Sequence, residues 1–208
     1  MHGLYKPQDI RPPFFIISKQ DGAFKEFIEI PHIKKISISN NQLGFRSTVF
    51  PLSIIPYRNN WILSDYSSDS IFMFSPDFKM TPFIARTPAI HSMNPEVVLI
   101  PSMFTDSYYF MESEMNSNDG VMTQLVYDRK GKALFEYTMY NDDYPNMPFS
   151  IPRGTVNTSN EVLSAVKLES FELVEANKEG KLKGGLKEIA SKLNEEDNPV
   201  LMLLKHKK

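Results

Sequence analysis

Cysteine is absent from this chain of 208 residues, and that absence removes several chemistries at once. Disulfides, thiolate-bound zinc, a cysteine nucleophile and a lipid-modified cysteine are excluded for the sequence as given. The compartment stays open, because exported proteins also occur without disulfides. Histidine is scarce: His2, His32, His91 and His206 lie far apart, with no i, i+4 pair and no carboxylate at ligand spacing. No metal or other cofactor is therefore expected. No apolar run reaches the ~18 residues of a membrane span. The opening Met1-His2-Gly3-Leu4-Tyr5-Lys6-Pro7 has no apolar core of a signal peptide, so neither a span nor an export signal is expected. Gly-x-Ser-x-Gly elbows and phosphate-cradling glycine loops are missing as well.

The formal net charge of −2 offers no basic face for nucleic acid. The closing Lys205-His206-Lys207-Lys208 reads as a solvated tail. Two acidic stretches, Asp65 with Asp69 and Ser70, and Asn141-Asp142-Asp143, lack the Asp-x-Asp-x-Asp-Gly ladder and final Glu of a calcium loop. They read as solvated turns.

What is present favours sheet. Aromatics make up 12% of the chain, with 15 Phe and 9 Tyr, and such side chains suit a pleated, half-buried surface. Fifteen prolines argue against long helices, since each removes a backbone donor. Hydrophobic residues at 41% supply a sizeable core. Short apolar runs recur between turn signals. Phe14 to Ile17 leads through Asp21-Gly22 into Phe24 to Ile30. Trp61 to Tyr66, Ile71 to Phe74 and Met80 to Ala85 form one set; Val97 to Ile100, Tyr108 to Met111, Met122 to Tyr127 and Ala133 to Tyr137 form another. Runs of this length, parted by turn chemistry, predict an antiparallel all-β fold. Near the C-terminus, Glu169 to Asn177 and the stripe Leu186, Ile189, Ala190, Leu193 predict two short helices before a last strand, Val200 to Leu204.

Three hairpins share a shape, an apolar strand running into a polar turn that carries Asp. They are Phe15 to Gly22, Ile71 to Lys79, and Leu125 to Lys132. A four-stranded blade repeating every ~40–50 residues would produce it. Leu186 to Leu203, a helix followed by an acidic turn and Asp197-Asn198-Pro199-Val200-Leu201, resembles the close of the uncharacterised six-bladed, NHL-like β-propeller proteins abundant in Bacteroidetes, many of them lipoproteins. Ile55-Pro56-Tyr57-Arg58 through Phe74 is similar to their blades. The resemblance implies a partial propeller of three to four blades: residues 14–50 an incomplete first blade, 51–93 and 94–150 two blades, and 151–208 the last blade with a helical insertion. Full members are longer and begin with an export signal, which implies a periplasmic or cell-surface place for the full-length form.

In such a fold, polar or aromatic residues entering inner strands face the axis. Tyr57, Arg58, Trp61 and Asp65, and Arg153 in Ile151-Pro152-Arg153-Gly154, are the expected binding residues. Trp61 suits stacking on a sugar ring, or packing between blades; Arg58 suits a ligand or an inter-blade salt bridge. The expected role is a non-enzymatic binding or scaffold propeller with a protein or carbohydrate partner and self-association through open blade edges. Two alternatives stay open, an NHL-like lactonase or lyase with an axial metal, and a truncated fragment of a longer propeller.

Overall fold

The computed structural model describes residues 14–36, 38–40, 47–49, 52–117, 120–151 and 162–205, and within them the chain is mostly antiparallel β-structure with two helices. Strands β1 (Phe14–Ile17) and β2 (Phe24–Ile28) form a hairpin, and β3 (Ile38–Asn40) pairs with β4 (Ser47–Val49). A four-stranded meander follows, β5 (Leu52–Tyr57), β6 (Asn60–Asp65), β7 (Ser70–Phe74) and β8 (Met80–Ala85). A second repeats it: β9 (Val97–Phe104), β10 (Tyr108–Met115), β11 (Met122–Asp128) and β12 (Ala133–Glu136). After the hairpin β13 (Met139–Asn141) and β14 (Tyr144–Phe149), β15 (Val162–Leu168) pairs with β16 (Val200–Lys205). Helices α1 (Ser170–Lys178) and α2 (Gly184–Ala190) lie between those last two strands in the chain, as expected. Among the described residues, the sheets are not joined by strand pairing.

Two of the three similar hairpins take equivalent places in the four-stranded meanders, and the third joins a two-stranded sheet. Phe78 and Lys132 join the third and fourth strands of the two meanders with φ of 61° and 51°, and Gly22 turns β1 into β2 with φ of 72°. A left-handed residue lets a tight connection follow the right-handed twist of the strands. In the first of these turns Asp21 also accepts a hydrogen bond from the Ala23 amide at 3.1 Å.

Proline position explains the sheet borders. Pro56 lies in β5, Pro82 in β8 and Pro101 in β9, and each of these strands is at the edge of its sheet. An edge strand tolerates the missing N–H on its open side. Two of these prolines adjoin β-bulges. Phe72 faces Pro82 while Ile71 faces Ile84, which leaves Phe83 as the extra residue. Likewise Met111 faces Pro101 while Phe110 faces Met103, which leaves Ser102 extra. Such an insertion re-aims a side chain.

The middle strands of the first meander, β6 and β7, bury side chains on both faces. Ile55, Ile62 and Ile71 turn toward the second meander, whereas Leu63, Phe72 and Phe74 turn toward Phe14, Ile16 and Ile28 of the first hairpin. This double burial explains why β6 reads as a continuous apolar run rather than an alternation.

The helices build a core of their own with β15 and β16, from Leu168, Leu173, Ala176, Leu182, Leu186 and Ala190. Ile189 departs from the expected stripe and is 45% exposed. The expected solvated turn at Asn141-Asp142-Asp143 is also corrected. The Asp143 carboxylate accepts the Leu186 amide at 3.1 Å and its carbonyl accepts the Lys183 amide at 2.8 Å, supplying acceptors at the start of α2. Gly184, at φ of 49°, has no room for a Cβ, which would lie 2.2 Å from an Asp143 oxygen.

Adjacent isoleucines of the edge strand β5 test where burial ends. Ile55 is 2% exposed and Ile54 is 57% exposed. In urea titrations, Ile55→Ala is expected to lose about 2–5 kcal/mol, and Ile54→Ala less than about 1 kcal/mol.

Candidate functional site

The two meanders meet at their first strands, β5 beside β9. An aromatic cluster fills the joint. The bulged Phe83 lies 5.3 Å from Tyr109, 5.7 Å from Phe104 and 5.8 Å from Tyr57, measured between ring centroids. Phe104 and Tyr109 are 5.0 Å apart, and Tyr127 stacks on Tyr109 at 5.9 Å. Edge-on and offset contacts of this kind add to area burial.

A charged cap closes one end of the cluster. Arg58 occupies the two-residue turn from β5 to β6 with φ of 56°, and its guanidinium meets the Asp106 carboxylate at 2.7 Å. Arg129 donates to the Asp106 carbonyl at 2.6 Å. The two cations also lie over aromatic rings, Arg58 at 5.3 Å from Tyr57 and Arg129 at 5.2 Å from Tyr109. Hydrogen bonding to Arg58 holds the Asp106 carboxyl below its ordinary range, and the same bond raises Arg58. Burial pushes the Tyr109 phenol up to about 12, with its hydrogen bond to Tyr57 acting in the same direction. Burial, then the charge of Glu112, pushes Tyr137 up to about 12.

Next to the joint, a groove of about 550 Å³ runs between the edge of the first meander and the face of the second. Tyr109, Met111, Leu125 and Tyr127 form its floor, with Phe83 and Arg86 on the opposite wall.

The expected binding residues do not form one site. Tyr57 and Arg58 belong to the cap, with Tyr57 only 5% exposed. Trp61 faces Pro56 and Phe74 across the strands, on the other side of the sheet from Tyr57 and its partner Asn60. It remains 39% exposed while packing on Phe74 at 6.5 Å. Asp65 lies at the far end, opposite Leu52, and the reading of its stretch as a solvated turn is corrected. It is 4% exposed, ion-paired with Lys35, and accepts the Ser67 amide at 2.9 Å. Asp69 accepts the Ile90 amide at 2.7 Å. Arg153 lies outside the described residues.

Other polar residues here were not singled out in the sequence. Asp106 and Arg129 come from turns far from Arg58 and carry no motif. His91, expected to have no carboxylate at useful spacing, has Nδ1 at 3.1 Å from Glu96 Oε1, while Asn116 donates to Glu96 Oε2 at 3.2 Å. This clasp fastens the loop between β8 and β9 to the end of β10. Among the described residues, no group of three or more His, Asp or Glu side chains could hold a metal ion. Among the same residues, no helix is long and apolar enough to cross a membrane.

The fold is similar to a crystal structure of a protein from Bacteroides fragilis inferred to be exported, with a TM-score of 0.60 and 13% sequence identity. The match covers 93% of this chain and 57% of that protein, so this chain spans little more than half of its length. No protein-family model matches the chain, and neither does any curated protein.

The two perturbed phenols predict an alkaline stability limit. Each binds its proton more tightly in the folded state, with a value of about 12, than at the ordinary phenol value near 10. Their contribution is full below about pH 10 and is lost as pH rises toward about 12. Urea midpoints are expected to fall across that window, and less steeply in Tyr109→Phe than in the parent.

Proposed function

We propose that the chain is the blade-bearing part of a six-bladed, NHL-like β-propeller that binds a ligand and performs no catalysis. The observation that carries this reading is the pair of four-stranded antiparallel meanders in chain order, touching at their first strands. Propeller blades approach one another in this way around an axis. The similar turns between third and fourth strands, closed by Phe78 and Lys132, support the same repeat. On this reading residues 51–93 and 94–150 carry two blades, residues 14–50 part of a preceding one, and residues 151–208 the last.

Arg58, Asp106 and Arg129 form an ordered charged surface, engaged with one another and with the Tyr57 and Tyr109 rings. Exposed Arg58 and half-exposed Trp61 are the expected residues left accessible to a protein or carbohydrate partner. The exported neighbour and the resemblance to Bacteroidetes lipoproteins support a periplasmic or cell-surface location for the full-length form.

A crystal structure with the two meanders fanned about a common axis supports the propeller; a two-sheet sandwich overturns it. Elemental analysis of purified protein is expected to find well under one equivalent of calcium or zinc. A stoichiometric metal would instead favour a lactonase- or lyase-type propeller.

The outward face of the first hairpin adds a partner. Phe15, Ile17, Phe24 and Phe27 are 45–58% exposed; Phe15 faces Phe27 and Ile17 faces Phe24 across the strands. An exposed apolar face of this kind suits a second copy of the chain. Light scattering is expected to show a dimer or larger species, reduced toward monomer in Phe15→Lys/Phe27→Lys. A monodisperse parent monomer contradicts this.

A further inference from the structure

The groove beside the aromatic joint has one charged residue on an otherwise mainly apolar lining. Arg86 follows β8 and is partly buried. Its Nε donates to the Pro88 carbonyl at 3.3 Å, and Nη2 lies 3.9 Å from Met93 Sδ. Nη1 is buried and has no hydrogen-bond partner among the described residues. Asp69 is close enough for its charge to act on Arg86, but its carboxylate takes the Ile90 amide and makes no ion pair with the guanidinium among the described residues. Burial consequently lowers the Arg86 pKa, with Asp69 opposing it. The guanidinium stays charged, since arginine is not deprotonated in proteins. A buried charged donor without an acceptor is a costly arrangement, which an acceptor brought to it would relieve.

The floor defines the rest of the ligand. Tyr109 and Met111 lie on one face of β10, with Tyr127 and Leu125 directly opposite them on β11. Phe83 lines the groove from the other sheet, on the face of β8 that turns to the second meander. This surface suits an apolar body, and about 550 Å³ lies within the range of small-molecule sites, roughly 300–1,000 Å³. One cation with one free buried donor matches a single negative charge better than a dianion.

We propose that the groove binds a monocarboxylate with an apolar tail, its carboxylate held by Arg86 and its tail lying over Met111, Leu125 and Tyr127. This assigns a ligand class to the binding role proposed above, at a place separate from the Arg58 turn and from Trp61.

The test is calorimetric titration of the full chain with laurate below its micellar concentration, and with dodecanol, which keeps the tail and removes the charge. Laurate is expected to bind one per chain, at least tenfold more tightly than dodecanol. Arg86→Met should bring laurate down to the dodecanol level and leave dodecanol unchanged, while Arg86→Lys should retain part of the difference. Leu134→Trp, at an exposed residue lining the groove, should weaken both ligands. Thermal melts establish that each variant is folded. Equal affinity for laurate and dodecanol, unchanged laurate binding in folded Arg86→Met, or no laurate binding by the folded parent overturns the proposal. Each of those results leaves the metal content and blade arrangement, on which the broader reading rests, unaffected.

Discussion

The contact of Phe83 with Tyr109 and Phe104 is the joint on which the two meanders depend. Ordinary alternation along β8 puts Phe83 on the same face as Thr81, the face of Ile71 and Met73 that turns to the second meander, and the bulge brings Ile84 onto that face beside it. There Phe83 reaches the second meander, Tyr57 closes the cluster from the inner strand, and Arg58 is carried over the end of the joint. Phe83 also forms part of the groove wall.

The C-terminal region follows a different logic. Its core is shared by two helices and one strand pair, so its apolar residues repeat with both helical and strand periods. Asp143 is its link to the preceding hairpin. That carboxylate supplies an acceptor at the start of α2 from a turn more than forty positions away, and Gly184 leaves room for it.

The strands most legible in the sequence were those bounded by turn chemistry, such as β6, β7 and β10, where apolar and aromatic residues run between Asp, Ser or Gly clusters. The pair β13 and β14 was not legible. Pro145 and Pro148 interrupt β14, and the pattern around Asn141 resembles an ordinary polar loop. Helix positions were clear, but Ile189 turned outward because α2 is short and its neighbours Leu186 and Ala190 take the buried side. The candidate site was legible only at Tyr57 and Arg58. Period-two alternation places Trp61 on the opposite face from Tyr57, and strand length separates Asp65 from both. Asp106, Arg129 and Arg86 owe their setting to contacts between turns, bulges and sheets, which no local spacing records.

The prolines of β5, β8 and β9 have a consequence beyond the sheets that contain them. An open strand edge is a template on which another chain can add strands without limit. Here Pro56, Pro82 and Pro101 interrupt the rows of amide donors, and bulges beside two of them spoil the register a newcomer would need. Such borders are poor templates for an added strand. Association through side-chain faces has a geometric end point, because a face, once covered, offers no fresh copy of itself.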